Sequence, residues 1–106
     1  MIFTRANIGK ISAGEKTETR RIWKRPHVRV GGVYRVRSSR RLPADPADPQ
    51  IRVTDLRSEL LGEITAEAVL REGCSSLEEF VLQWQDLHGE WDPKQAVYIV
   101  DFEVVP

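Results

Sequence analysis

A chain of 106 residues, 41% hydrophobic and 30% charged, has the composition of a soluble globular protein rather than a disordered one and fits one domain, 1–106, and its length argues against a second hydrophobic core. No apolar run approaches a membrane span, and Met1 to Gly14 is too mixed in polarity for a signal peptide, so a cytoplasmic protein without a membrane partner is expected. The formal charge of zero hides an asymmetry: residues 1–58 carry 14 Lys and Arg against 5 acids, a net +9, and residues 59–106 carry 2 against 11, a net −9. Either the basic residues share one face that attracts polyanions, or the two halves fold together and neutralise each other.

In chain order, Ile2-Phe3 reads as a short first strand. Thr4 supplies an N-cap oxygen for a brief helix with Ile8 and Ile11 on its inner face, and Gly14 ends that helix. The stretch Gly14-Glu15-Lys16-Thr17-Glu18-Thr19-Arg20-Arg21 then runs extended. Strand alternation places Lys16, Glu18 and Arg20 on one face and Thr17, Thr19 and Arg21 on the other, and a twist or bulge would let Lys16 and Thr19 converge on one rim. The same residues also read as a helix stop followed by a charged edge strand. Trp23 and Tyr34 stand among Lys and Arg, where each could stack a base or pack in the interior. Val28-Val30 and Val33-Arg37 look like two extended pieces across Gly31-Gly32, with Val36 facing in and Arg35 and Arg37 facing out.

Three of the six prolines fall in the stretch from Arg40 to Pro49, which must be a loop: a lid, a binding loop or an insertion. Ile51 to Arg57 alternates at period 2. Thr65 caps a short helix over Ala66 to Arg71 that Gly73 ends, and Ser75 and Ser76 stand three residues before Glu78 and Glu79, the capping-box spacing. Leu77, Phe80, Val81, Trp84 and Leu87 form a helical stripe read as core. Gly89 stops this helix, Trp91-Asp92-Pro93 turns the chain, and Ala96 to Val105 is a long final strand. Five or so strands with two or three short helices, without regular alternation, give an α+β fold with a mostly antiparallel, barrel-like sheet. Cys74 has no partner for a disulfide or a zinc site, and no metal or cofactor is expected. His27 and His88 stand in no evident triad and read as surface or capping residues.

The order of these residues resembles the ASCH domain, a small member of the PUA-like β-barrel superfamily, over nearly the whole chain. The resemblance is carried by Gly14, Lys16, Thr17, Thr19 and Arg21, by Val30-Gly31 before a Val/Tyr strand, by Glu72-Gly73 before Ser76 to Phe80, by Trp84 to Pro93, and by Val97 to Phe102. It implies a cleft for a nucleobase, nucleoside or RNA. Some ASCH proteins remove the acetyl group of N4-acetylcytidine. By motif position the resemblance makes Lys16 the base, Thr19 the nucleophile and Glu72 the proton donor, although the spacing of Glu72 to the next helix is one residue longer than in those hydrolases. Arg20 and Arg21 would tune Lys16 or clamp an oxygen, and with Trp23, Tyr34, Arg35 and Arg37 they are the candidate substrate- or nucleic-acid-binding residues. The alternative is a non-catalytic module for RNA or single-stranded nucleic acid. A third reading is an interaction protein whose acidic half docks a basic partner.

Overall fold

Helix α1 (Arg5–Ser12) begins at its expected cap, where Thr4 Oγ1 accepts from the Asn7 amide at 3.2 Å, and it buries Ile8 and Ile11. Gly14, at φ 76°, turns the chain out of the helix into β1 (Glu18–Arg21). The computed structural model describes residues 1–43 and 45–106; Ala44, inside the expected proline-rich loop, lies outside the described residues. After β1 come β2 (Val33–Arg35), β3 (Gln50–Leu60), a single 3-10 turn (Leu61–Glu63), α2 (Ala66–Arg71), α3 (Leu77–His88) and β4 (Ala96–Val105). Thr65 and Ser76 cap α2 and α3 as the sequence indicates, each accepting from the amide three residues on. Among the described residues no helix is long and apolar enough to cross a membrane.

The strands form one four-stranded antiparallel sheet in the order β1-β4-β3-β2, curled into a half-barrel. The α+β, barrel-like expectation holds, with one strand fewer than five in the sheet. Ile2 makes only an isolated parallel bridge to Arg37, although the Phe3 amide still donates to the Arg37 carbonyl at 2.9 Å. Val28-Val30 forms no strand either. Instead the Gly31 amide donates to the Val53 carbonyl and the Val53 amide to the Gly32 carbonyl, docking the glycine turn on β3.

That docking lies beside a β-bulge. Partners on β4 run regularly to Val53↔Phe102 and resume at Asp55↔Asp101, so Thr54 is the extra residue. The period-2 alternation expected across Ile51 to Arg57 is therefore interrupted. Ile51 and Val53 face one side, Leu56 returns to that side after the bulge, and Arg57 and Glu59 are turned to the other.

The sheet also divides what the chain length led us to expect as one core. On one face Phe3, Ile8, Ile11, Val36, Ile51, Val53, Val100 and Phe102 pack together; on the other, Val97 and Ile99 pack with Leu61, Val69, Cys74, Phe80 and Trp84. The α3 stripe read as core is core only at Phe80 and Trp84, each 5% exposed, whereas Leu77 and Leu87 are 51% and 62% exposed.

Gly73 connects this packing to the buried lysine ahead of β1. It sits at φ 87°, and a Cβ there would lie 3.1 Å from Lys10 Cδ and 3.2 Å from Lys16 Cβ. Gly73→Ala is expected to destabilise the fold by about 1–2 kcal/mol, the usual cost of a left-handed non-glycine residue. Urea unfolding measures this, and an unchanged midpoint would show that the turn relaxes freely.

Candidate functional site

Glu72 is the C-cap of α2, held in place by the left-handed turn at Gly73. Lys16 approaches it from the loop ahead of β1. That loop is fixed on two sides: the Thr17 amide donates to the Arg71 carbonyl at 2.8 Å, and the Phe102 amide donates to the Thr17 carbonyl at 3.0 Å. Lys16 Nζ donates to both the Glu72 carbonyl and Glu72 Oε1, each at 2.8 Å, with both side chains 5% exposed.

The other Glu72 oxygen accepts from Arg20 at 3.0 Å. Arg20 also donates to Glu18 at 2.6 Å and to Glu59 at 3.0 Å, and its side chain is 1% exposed. Burial alone would lower the Arg20 pKa; the three carboxylates outweigh it and raise the value instead. Glu18 is fully buried and also accepts from Arg57 and Arg71. Lys16, Glu18 and Arg20 thus share a face of the extended stretch, as strand alternation requires, and the bulge at Thr54 delivers Arg57 and Glu59 to that same side.

Glu18 lies directly opposite Asp101 on β4. Asp101 Oδ2 accepts from Arg57, while Asp101 Oδ1 is buried without a hydrogen-bond partner. A proton on Asp101, donated to Glu18, satisfies both groups. Burial and the Glu18 carboxylate accordingly push Asp101 up to about 6. Burial opposes the charge on Glu18, but hydrogen bonds from Asp101, Arg20 and Arg71 bring it down to about 2.

A cleft of about 360 Å³ opens along the outer edge of β1, where residues of both its faces meet. Thr19, Arg21, Lys16, Arg20 and Glu72 form its polar side; Phe3, Phe80, Trp84 and Leu87 form its apolar side, with Asn7, Ser38, Gln83 and His88 at intervals. Arg21 Nε donates to Thr19 Oγ1 at 3.3 Å and its Nη2 to the Ile2 carbonyl at 2.8 Å, and the guanidinium lies 4.5 Å from the Phe3 ring centroid. Burial lowers the Arg21 pKa, with the Glu72 charge opposing. This volume and this mixture of apolar wall and few polar groups are those of a small-ligand site.

The three expected catalytic residues therefore meet in one cleft. Of the expected binding residues, Arg20 gives its two terminal nitrogens to three carboxylates, and its Nε is buried without a hydrogen-bond partner. Arg21, Trp23, Tyr34 and Arg37 line a second, adjoining groove of about 300 Å³. Arg35 borders neither; its guanidinium reaches the Asp48 carbonyl at 3.5 Å. His88 was not singled out by the sequence as a cleft residue, nor were the rings of α3. Yet Phe80, Trp84 and His88 recur at i, i+4 and i+8, one helical face, and the His88 ring lies 4.1 Å from that of Trp84. That spacing was the available signal. Among the described residues no group of three or more His, Cys, Asp and Glu is placed to hold a metal ion.

A curled antiparallel half-barrel with a cleft between β1 and a helical pair defines the class: an α+β fold of the ASCH and PUA-like type. Solved structures bear this out. The ASCH domain from Lactobacillus crispatus JV V101 superposes at a TM-score of 0.68 with 15% identity, covering 93% of this chain and 70% of its own. A DUF984 protein from Enterococcus faecalis V583 gives 0.64 and 15% identity over 96% of this chain and 68% of its own, and the hypothetical protein PH0355 gives 0.71 and 20% over 97% and 94%. No family model and no curated protein matches the sequence. The fold is ASCH-like, and at these identities the likeness extends to the fold alone.

Two outcomes follow from the buried charges. Glu72→Gln keeps the side-chain shape but leaves Lys16 and Arg20 short of a counter-charge, and a loss of about 3–5 kcal/mol in denaturant unfolding is expected. The carboxyl pair gives a pH signature. Asp101, whose native pKa is raised from 3.8, contributes stability that is full below about 4 and lost as pH rises through about 6. Glu18, whose native pKa is lowered from 4.5, contributes stability that is full above about 4.5 and lost as pH falls towards about 2. Asp101→Asn should therefore flatten the decline between pH 4 and 6.5 relative to wild type, read as the difference between two unfolding-against-pH profiles.

Proposed function

We propose that the cleft beside β1 binds a nucleobase or nucleoside and hydrolyses the amide of N4-acetylcytidine or a related acylated cytidine. The observation that carries this reading is the buried Lys16–Glu72 pair in the same cleft as the Thr19 hydroxyl. The resting pair is ionic, so a proton must first pass from Lys16 to Glu72, a shift favoured when a bound base displaces water. Thr19 Oγ1 then attacks the acyl carbon and gives its proton to Lys16. Arg21, already bonded to Thr19 Oγ1, stands beside the developing oxyanion. Glu72 protonates N4 as the C–N bond breaks, leaving cytidine and an acyl-Thr19 ester. Water attacks the ester after the same proton shift, Lys16 takes its proton, Glu72 returns one to Thr19 Oγ1, and the carboxylic acid leaves.

A second reading rests on a separate observation. Lys16 is held by two oxygens of Glu72, and Arg20 holds that carboxylate as well. A lysine whose donors are so occupied favours a site that binds RNA or single-stranded nucleic acid without turnover.

Pure protein incubated with a panel of acylated cytidines separates the two. Release of acetate, reduced at least about 10³-fold by Thr19→Ala or Lys16→Ala with unchanged circular dichroism, is the expected result. Absence of turnover by wild type, together with measurable cytidine or RNA affinity, would leave the binding reading alone. Absence of both would remove the cleft from consideration as a nucleoside site.

A further inference from the structure

The ion pairs are distributed unevenly around the molecule. Lys10, Lys16, Arg5, Arg20, Arg52, Arg57 and Arg71 each have a carboxylate within ion-pair distance. Among the described residues, Arg21, Lys24, Arg25, Arg29, Arg35, Arg37, Arg40, Arg41 and Lys94 have none, and three of these, Arg21, Arg37 and Arg40, line the second groove with Trp23, His27 and Tyr34. No acidic side chain is among the lining residues. Arg37 spends one nitrogen on the Leu42 carbonyl at 2.6 Å, and its Nε is buried without a hydrogen-bond partner. The three cations share the groove with Met1, whose amine pKa is lowered by burial first and then by their charges. The groove's aromatic wall is a stack, with the Trp23 and His27 rings 4.6 Å apart and 20° from parallel and His27 exposed.

A cationic hollow without carboxylates, holding an unsatisfied guanidinium N–H, is complementary to an anion that accepts several hydrogen bonds. Its position narrows the anion further. Ile2 and Arg21 line both hollows, so the second groove adjoins the first cleft. We propose that the second groove is a phosphate subsite: Arg37 and Arg40 hold the phosphate attached to the nucleoside in the first cleft, and the exposed face of His27 stacks the next base when there is one. This rests on the first cleft taking a nucleoside, and it makes the ligand a nucleotide rather than a free nucleoside. Phosphate monoester and diester share the chemistry. The aromatic stack favours a strand, because a mononucleotide would leave it unused.

The test is equilibrium binding at low salt of cytidine, cytidine 5′-monophosphate, cytidine 3′-monophosphate and a cytidine trinucleotide to wild type and to Arg37→Gln, Arg40→Gln and His27→Ala. The expected result is that a phosphate-bearing ligand binds at least about tenfold tighter than cytidine, and that this ratio collapses towards one in Arg37→Gln and in Arg40→Gln. Arg40 is exposed, so its variant reads the site without a folding penalty. A further gain for the trinucleotide that His27→Ala removes assigns a strand; equal affinity of a mononucleotide assigns a monoester. A trinucleotide bound through Arg37 and Arg40 when cytidine alone does not bind sustains the groove while the nucleoside reading of the first cleft fails. Equal binding of cytidine and its phosphates overturns the proposal. So does a ratio that survives both arginine variants, or equal competition by polyglutamate, which would mark a general polyanion surface.

Discussion

Lys16, Glu18, Arg20 and Glu72 are each no more than 5% exposed, and they form one continuous chain of charge-assisted hydrogen bonds. Removing one such ion from water costs several kcal/mol, so none of the four is tolerable without the others. Their linkage is also spatial. It joins the loop ahead of β1, β1 itself, the end of α2 and, through Glu59, the last part of β3. The cleft has its floor where those elements meet, and its geometry is therefore set by electrostatics that must be complete, more than by apolar packing.

Two backbone irregularities make that completeness possible. The left-handed Gly73 brings both the carbonyl and the carboxylate of Glu72 to Lys16 Nζ, within about 3 Å of contact in each case. The bulge at Thr54 changes the phase of β3, so that Leu56 continues the apolar face while Arg57 and Glu59 reach Glu18 and Arg20. A regular strand would have turned these two charges into the opposite core. The two faces of the sheet thus acquire different characters: one carries the first apolar cluster, with Thr19 and Arg21 at its β1 edge, and the other combines an apolar cluster under α3 with the ionic network under β1.

The opposed charges of the two halves of the chain are reconciled in the same way. Lys10–Glu79, Lys16–Glu72, Arg20–Glu59, Arg71–Glu18, Arg52–Glu103 and Arg57–Asp101 all cross from one half to the other. Five cations of residues 1–58, Lys10, Lys16, Arg20, Arg52 and Arg57, are neutralised across the halves in this way, and of the described cations without an ion pair Arg21, Arg37 and Arg40 border the second groove.

The sequence by itself determined the local elements. Thr4, Thr65 and Ser76 cap their helices, Gly14, Gly73 and Gly89 adopt the left-handed turns that end them, and Ala96 to Val105 forms the long strand, because caps, turns and strand periodicity depend on near neighbours. It also placed Lys16, Glu18 and Arg20 on one face. Only the tertiary structure decided that Glu72 is their partner, 56 residues from Lys16, since that contact depends on the path of α2 across the sheet. It likewise decided that Arg20 is enclosed by carboxylates whereas Arg21 is not, that Arg35 stands away from both hollows, and that α3 gives Trp84 and His88 to the cleft wall. The physical reason is common to all of these. Adjacent residues of a strand point to opposite faces, and what waits on each face is set by elements far away in the chain.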